Sequence, residues 1–498
     1  MPEVPRRSFL AGAGALTIAP RLGVTNRAVA ADSPFEWGVA SFDPTTSSVL
    51  LWTRVTPGTA STLRLVVASD PELEDVAKTG TVGVDEASDH CARIAVDGLP
   101  AGRTWWYRFE TLDGQQSPIG RTRTLAPDAT RLRLGVVSCS RFAPAGFAAY
   151  RALADREVDL VVHLGDYIYE DGTSDARAHE PAHLLTTLAD YRARYAQHRR
   201  DPDLQALHAR HPMVAVWDDH DIAGNAWSEG APSHDDGRDG PWLDRLVAAG
   251  QAHEEWLPGR TARGADGRLQ AWRHLSLGRM AELVVLDTRA WARDRQAATA
   301  AELGGAPDGA SPGEVRQLLG TDQAAFAAER LERPDRPPWV LLANQVMLHP
   351  LDVPVPGESF VDDVEAAGFL VRGDRAVNPD QWDGYPQARE ELLGAIGERG
   401  GVVVLTGDVH SSWAWEGAGD GRAALVELVA PSVSSAPLAD RLPVPAALIE
   451  GGLQSLYDDL AHVELTSRGY LLVDLDEDGV QSEWWYVDPD DVTTRRFG

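Results

Sequence analysis

The chain has 498 residues, too many for one compact core, so two or three domains are expected. Its formal net charge of −29 excludes a general nucleic-acid binder and adsorption to anionic membranes, which both draw on Lys and Arg. A 43% hydrophobic fraction and 16 tryptophans indicate a well-packed globular protein, with Lys78 as the only lysine.

The N-terminus reads as a targeting segment. Arg6-Arg7-Ser8-Phe9-Leu10 opens a short apolar stretch rich in Gly and Ala, and Ala28-Val29-Ala30 offers an A-x-A cleavage site. Residues 1–31 are expected to be a twin-arginine signal, with the twin-arginine export machinery as partner and a secreted, periplasmic or cell-surface destination. No other span approaches the ~20 apolar residues of a transmembrane helix. Residues 32–127 then read as short strands broken by turns: 35–40, 48–55, 62–68, 90–96 and 104–111. Alternation is plain in Ala92-Arg93-Ile94-Ala95-Val96, and Asp97-Gly98 and Asp113-Gly114 are turn chemistry. This spacing predicts a small all-β sandwich, Ig- or fibronectin-like, acting as a structural or docking module.

From Leu132 the pattern becomes strand, helix, strand, and residues 131–498 are expected to form the catalytic domain. Strands are predicted at 132–137, 158–164, 213–217, 282–286, 339–343 and 401–405. Helix is predicted around 146–155 and across a polar stretch at 181–210. Segments 301–314 and 351–380, rich in Gly, Pro and acids, read as loops or lids, and strands at 469–475 and 479–487 close the chain. Of the two cysteines, Cys91 belongs to the first domain and Cys139 to the second, which argues against a bridge between them. His198, His208 and His234 sit on polar stretches and are expected to be solvated.

Six strand ends carry chemistry: Cys139; Asp166 and Tyr169; Asp219 and His220; Asp287 and Arg289; Asn344; Asp408 and His410. In open α/β sheets, ligands bind outside the carboxyl ends of strands. One Asp after a strand is commonly a helix N-cap; recurrence at six consecutive strand ends points to one shared metal site. Carboxylates with an imidazole, a phenolate and a thiolate suit a trivalent iron beside a hard divalent ion.

Val137-Ser138-Cys139-Ser140-Arg141, Gly165-Asp166-Tyr167-Ile168-Tyr169-Glu170, Trp217-Asp218-Asp219-His220-Asp221 and Leu405-Thr406-Gly407-Asp408-Val409-His410 resemble the PhoD-type alkaline phosphatases and phosphodiesterases, within the calcineurin-like metallophosphoesterase superfamily. The resemblance covers essentially the whole mature chain. It implies an α/β fold, a metallophosphoesterase-type β-sandwich core flanked by helices, with Fe3+ and one or two Ca2+ as cofactors. By motif, iron falls to Cys139, Asp166, Tyr169 and His410. Asp166 would bridge to calcium, with Asp219 and Asp408 on the calcium side and Asn344 as a further ligand. The expected reaction is attack of a metal-bound hydroxide on a phosphate mono- or diester, with His220 as acid and Arg141, Asn225 and Arg289 as phosphate contacts. Relatives carry Asn-Pro-His where this chain has Tyr457-Asp458-Asp459, which leaves the closing lid open to difference.

Two alternatives stand beside this reading. A phospholipase D-like diesterase would act on choline phospholipid, with the apolar segment 444–453 meeting lipid. A non-catalytic protein would bind a cell-surface polymer through its first domain and keep a vestigial metal site.

Overall fold

A computed structural model describes residues 33–488 and 494–497, apart from 144, 174–176, 304–314, 356, 358–360, 367, 418, 420–423 and 443. The signal-like segment 1–31 lies outside the described residues. The framework is two mixed sheets. The first has nine strands in the order Thr494–Phe497, Val480–Val487, Gly469–Asp476, Arg131–Val137, Leu160–His163, Met213–Ala215, Val39–Phe42, Ser48–Arg54 and Cys91–Asp97. The second has seven, in the order Arg273–Ser276, Ala281–Val285, Trp339–Ala343, Val402–Thr406, Leu425–Val429, Ser412–Glu416 and Leu460–Glu464.

The continuous apolar runs are explained by burial on both faces. Leu341, Ala343, Val403 and Leu405 join Val136, Val161 and Val162 in the core between the sheets. The alternate residues, Val340, Leu342, Val402 and Val404, pack instead under helices Gly320–Glu332 and Pro386–Ile396. Each such aliphatic side chain contributes about 1.5–3 kcal/mol on full burial. Because Arg131–Val137, Leu160–His163 and Met213–Ala215 run parallel, as do the four strands from Ala281 to Val429, their carboxyl ends share one edge. That edge holds the site.

Three expectations are revised. The N-terminal strands make two layers around Val49, Leu51, Leu65, Val67 and Tyr107, but one layer is continuous with the large sheet. Phe42 pairs parallel with Met213, so the first unit is joined to the catalytic sheet instead of standing apart. The polar stretch at 181–210 is two helices, Leu188–Arg199 and Pro202–Arg210. Pro202 lacks an N–H and Asp201 caps the second helix through the Asp203 and Leu204 amides, so the first helix stops there. The segment 351–380 is not only loop: Asp352–Pro354, Leu370–Arg372 and Arg375–Val377 form a small sheet, with helix Val361–Ala366 between them. Among the described residues, no helix is long and apolar enough to cross a membrane.

Candidate metal centre

The ligand loops leave their strands through sharp turns. Among the described residues, nine non-glycine residues have positive φ, and five of them are Cys139, Asp166, Asn225, Asp408 and His410. Such backbone is costly outside glycine and gathers at functional sites. Gly165, at φ +103, is needed where it stands, since a Cβ there would meet the Asp218 nitrogen at 2.3 Å. The loops are laced together by Cys139 N to Gly165 O at 3.2 Å, Ser140 N to Asp166 O at 2.8 Å and Gly407 N to Gln345 O at 3.1 Å. Asp221 braces two loops at once, accepting from Ile168 N at 3.1 Å and Asp218 N at 2.9 Å. Its own carboxyl is pushed up to about 7, chiefly by burial.

Two groups of donors result. Cys139, Asp166 and His410 offer atoms all within 4.8 Å of one another, and so do Asp166, Asp218 and Asp219. Asp166 belongs to both. The Tyr169 hydroxyl donates to Asp166 at 2.9 Å, lies 3.2 Å from His410 Nε2 and accepts from Ser435 Oγ at 2.6 Å. The His410 Nδ1–H donates to the Ala436 carbonyl at 2.8 Å, which leaves Nε2 with its lone pair toward the group. Burial lowers His410 to about 3, so the imidazole is neutral and fit to ligate. Burial, then Asp166, drives the Cys139 thiol and the Tyr169 phenol well up. Burial also raises Asp166 and Asp218, and the crowded acids add to it. A bound metal cation would reverse such shifts. Asp218 Oδ2 and Asp219 Oδ1 are buried without hydrogen-bond partners. Buried carboxylate oxygens without partners, beside a phenol, a thiol and a neutral imidazole, fit metal ions.

The predicted residues divide. Asp408 stands beside the second group, held by Arg289 at 3.0 Å and Gln381 Nε2 at 2.6 Å, and burial raises it to about 6 despite Arg289. Arg289 was expected to touch phosphate, but it is fully buried among carboxylates. Its guanidinium meets Asp218 at 2.5 Å, Asp380 at 2.8 Å, Asp408 at 3.0 Å and Asp219 at 3.5 Å. Asp287 instead caps the turn, accepting from Arg289 N at 3.0 Å and Ala290 N at 2.8 Å. Asn344 sits in a hydrogen-bond chain of its own. Its amide oxygen accepts from Trp382 Nε1 at 3.2 Å and its nitrogen donates to Val346 O and to Thr406 Oγ1 at 3.2 Å.

At the mouth, His220 Nδ1 lies 2.7 Å from Glu170 Oε2, and its ring stacks on Tyr169 at 4.4 Å. Burial would lower its pKa, but Glu170, Asp219 and Asp166 outweigh that and raise it well above 6.5. Glu170 also accepts from Gly224 N at 2.7 Å. Burial lifts Glu170, but His220 and that amide hold it down to about 2. The Arg141 guanidinium lies 5.1 Å from the Tyr169 ring and pairs with Asp171 at 2.5 Å. Asn225 is exposed, and its backbone amide donates to Asp219 at 2.5 Å.

Sequence reading missed Asp218, Glu170, Asp380 and Gln381. Glu170 and Asp218 sit inside the quoted motifs, so their proximity was the available signal; Asp380 ends the 351–380 segment read as loop or lid and Gln381 directly follows it, with no signal. The buried histidines are a correction as well. His198 and His208 are fully buried and neutral, burial holding both well below 6.5, and the His234 side chain is 4% exposed.

The PhoD-like phosphatase model matches residues 134–484, and the model of the PhoD-like phosphatase N-terminal domain matches 20–126. Alkaline phosphatase D of Bacillus subtilis (strain 168) is 34% identical over 441 residues, covering 82% of this chain and 72% of that protein. A solved structure of PhoD superposes with a TM-score of 0.76 at 28% identity, over 94% of this chain and 93% of that one. The chain therefore belongs to the PhoD-like phosphatase family, and it is a hydrolase of phosphoric esters.

Proposed function

We propose that the enzyme works with one ferric ion and calcium, the iron held by Cys139, Asp166, Tyr169 and His410 and calcium by Asp166, Asp218, Asp219 and Asp408. The single observation behind this is the sharing of Asp166 by two buried donor groups, the second of which retains unpartnered oxygens on Asp218 and Asp219. One group mixes thiol, phenol and imidazole, which suits iron; the other is all carboxylate, which suits calcium. When bound, these ions would acidify water and offset charge on the phosphoryl oxygens.

The chain's own residues supply the rest. His220, kept cationic by Glu170, is the acid that delivers a proton from its Nε2 to the leaving oxygen. Arg141 and the exposed Asn225 stand at the mouth to receive phosphate oxygens. Arg289 stays out of substrate contact and holds Asp218, Asp219 and Asp408 in place. Export rests on the Arg6-Arg7 and Ala28-Val29-Ala30 pattern alone.

A diesterase acting on choline phospholipid is the second reading. It is favoured by helix Ala446–Leu456, where Leu448 is 70% exposed. Leu438, which follows the loop on His410, packs in the same cluster as Ala446 and Ile449 of that helix. One metal-analysed preparation, assayed on a nitrophenyl monoester, a bis-nitrophenyl diester and phosphatidylcholine with and without a calcium chelator, tests all of this. Calcium-dependent turnover is expected; activity unchanged by full calcium removal would sink the two-metal reading. Faster monoester release supports a phosphatase, and lipid turnover above both supports the second reading.

A further inference from the structure

Two consecutive carboxylates follow Tyr169, and each holds one of the cationic groups placed at the mouth. Glu170 meets His220 at 2.7 Å, and Asp171 meets Arg141 at 2.5 Å. Both cations sit against one phenol ring. His220 stacks on Tyr169 at 4.4 Å, and the Arg141 guanidinium carbon lies 5.1 Å from the centre of the same ring. The two pairs differ in exposure. The Glu170 side chain is 5% exposed, whereas that of Asp171 is 42% exposed and that of Arg141 25%. The Asp171 backbone is fixed from behind, since its carbonyl accepts from the buried Arg194 at 3.1 Å and lies 2.7 Å from His179 Nδ1. Arg141 is fixed in the same way. Its carbonyl accepts from Ser434 Oγ at 2.7 Å, and the Cys139 carbonyl accepts from Ser434 N at 3.3 Å and Ser435 N at 3.2 Å. With both main chains anchored, only the two side chains are free to part.

A buried ion pair is costly to break, so Glu170 stays with His220. An exposed pair is weak, because water screens it and two side chains must be held in one geometry. A phosphate offers a guanidinium the same kind of charged oxygen that a carboxylate does. While the exposed pair stands, the Arg141 charge is already met, and the Asp171 charge repels an incoming phosphate. On the reading that Arg141 receives phosphate oxygens, we infer that Asp171 is a specificity-determining residue that rivals the substrate and product phosphate for Arg141 and parts from it when either binds. The repulsion scales with charge, so Asp171 disfavours a doubly charged phosphate monoester more than a singly charged diester. Glu170 orients an acid and its loss weakens the reaction. Asp171 holds back a binding group, and its loss tightens binding.

The test uses the full metal-loaded enzyme and its Asp171→Asn variant, which keeps the shape of the side chain and both bonds to the carbonyl. The quantities measured are KM for a nitrophenyl monoester and a bis-nitrophenyl diester, and the competitive inhibition constant of inorganic phosphate. The monoester KM and the phosphate constant should fall by about 2–5-fold, and the diester KM by less. A phosphate constant that stays or rises overturns the proposal, and a rise is what a residue that merely positions Arg141 would give. A diester KM that falls as far as the monoester KM overturns it as well. Arg141→Gln, measured alongside, should raise the phosphate constant. If it does so while Asp171→Asn has no effect, the rivalry alone is wrong. If Arg141→Gln changes nothing, Arg141 is no phosphate contact, and the inference falls with the reading beneath it.

Discussion

Around Cys139, Asp166, Tyr169 and His410, donors share protons with one another, whereas around Asp218, Asp219 and Asp408 the negative charge is met by an arginine built into the fold. In the first pocket a phenol O–H serves Asp166 and a serine O–H serves the phenol, so the group is closed by hydrogen bonds. In the second, Arg289 reaches four carboxylates, and Asp380 is gripped in turn by Arg293 at 2.6 Å and Gln296 at 2.7 Å. The first pocket can wait for its ion in a protonated state. The second keeps a built-in counter-ion, although burial still raises Asp218 and Asp408. The two pockets meet at Asp166, and the largest expected effect lies there. Asp166→Ala should empty both pockets and lower turnover by about 10^3-fold or more. Metal analysis with a nitrophenyl assay checks this; normal iron content and turnover would break the comparison at its root.

Arg289→Gln should separate the pockets. Removing the guanidinium leaves buried carboxylates unpaired, a loss on the order of 3–5 kcal/mol in unfolding free energy without calcium. Iron should remain, because the hydrogen bonds of Tyr169 and His410 do not involve Arg289. Saturating calcium should recover part of the lost stability, since a divalent ion replaces the missing charge. Loss of both metals together would show the division to be wrong.

Glu170→Gln should weaken turnover by about 10–100-fold, the usual effect of removing a residue that orients a functional imidazole. Glu170 keeps His220 protonated, so its loss should move the alkaline limb of the rate profile to lower pH. The linkage signs are opposite for the two partners. His220, raised above 6.5, adds stability at lower pH that is lost as pH rises through its folded value. Glu170, held at about 2 against an ordinary 4.5, adds stability above 4.5 that is lost as pH falls toward 2. A profile that does not move in the variant would remove Glu170 from proton transfer.

Much of this was legible in the chain. Apolar runs such as Val402–Leu405 read as buried strands, and polar residues directly after six of them pointed to one shared edge. What stayed hidden depends on distance along the chain. Phe42 pairs with Met213, which lies 171 positions further along the chain, so nothing local announces that the first unit joins the sheet. His198 and His208 lie on helices too polar to predict burial, yet aromatic partners surround them: Tyr167, Phe142 and Phe147 near one and Tyr167 and Phe42 near the other. Arg289 looked like a phosphate ligand because only tertiary structure brings Asp380 and Asp408 to it.

Asn344 gives the smallest and sharpest contrast. It follows a strand like the true candidates, and position alone cannot tell it from them. Its side chain is engaged elsewhere: the oxygen accepts from Trp382, and the nitrogen serves Val346 and Thr406. Thr406 in turn donates to Glu427 at 2.7 Å, whose carboxyl is raised to about 7 by burial and also accepts from the Leu348 and His349 amides. Asn344 is thus one link in a chain that holds the 345–349 loop and Trp382, beside Gln381 and Asp408. Asn344→Ala should cost about 1–3 kcal/mol through the unpaired indole and hydroxyl, read by denaturant unfolding. Iron and calcium content should stay at wild-type levels in the folded variant. A selective loss of calcium at intact stability would return Asn344 to the ligand set.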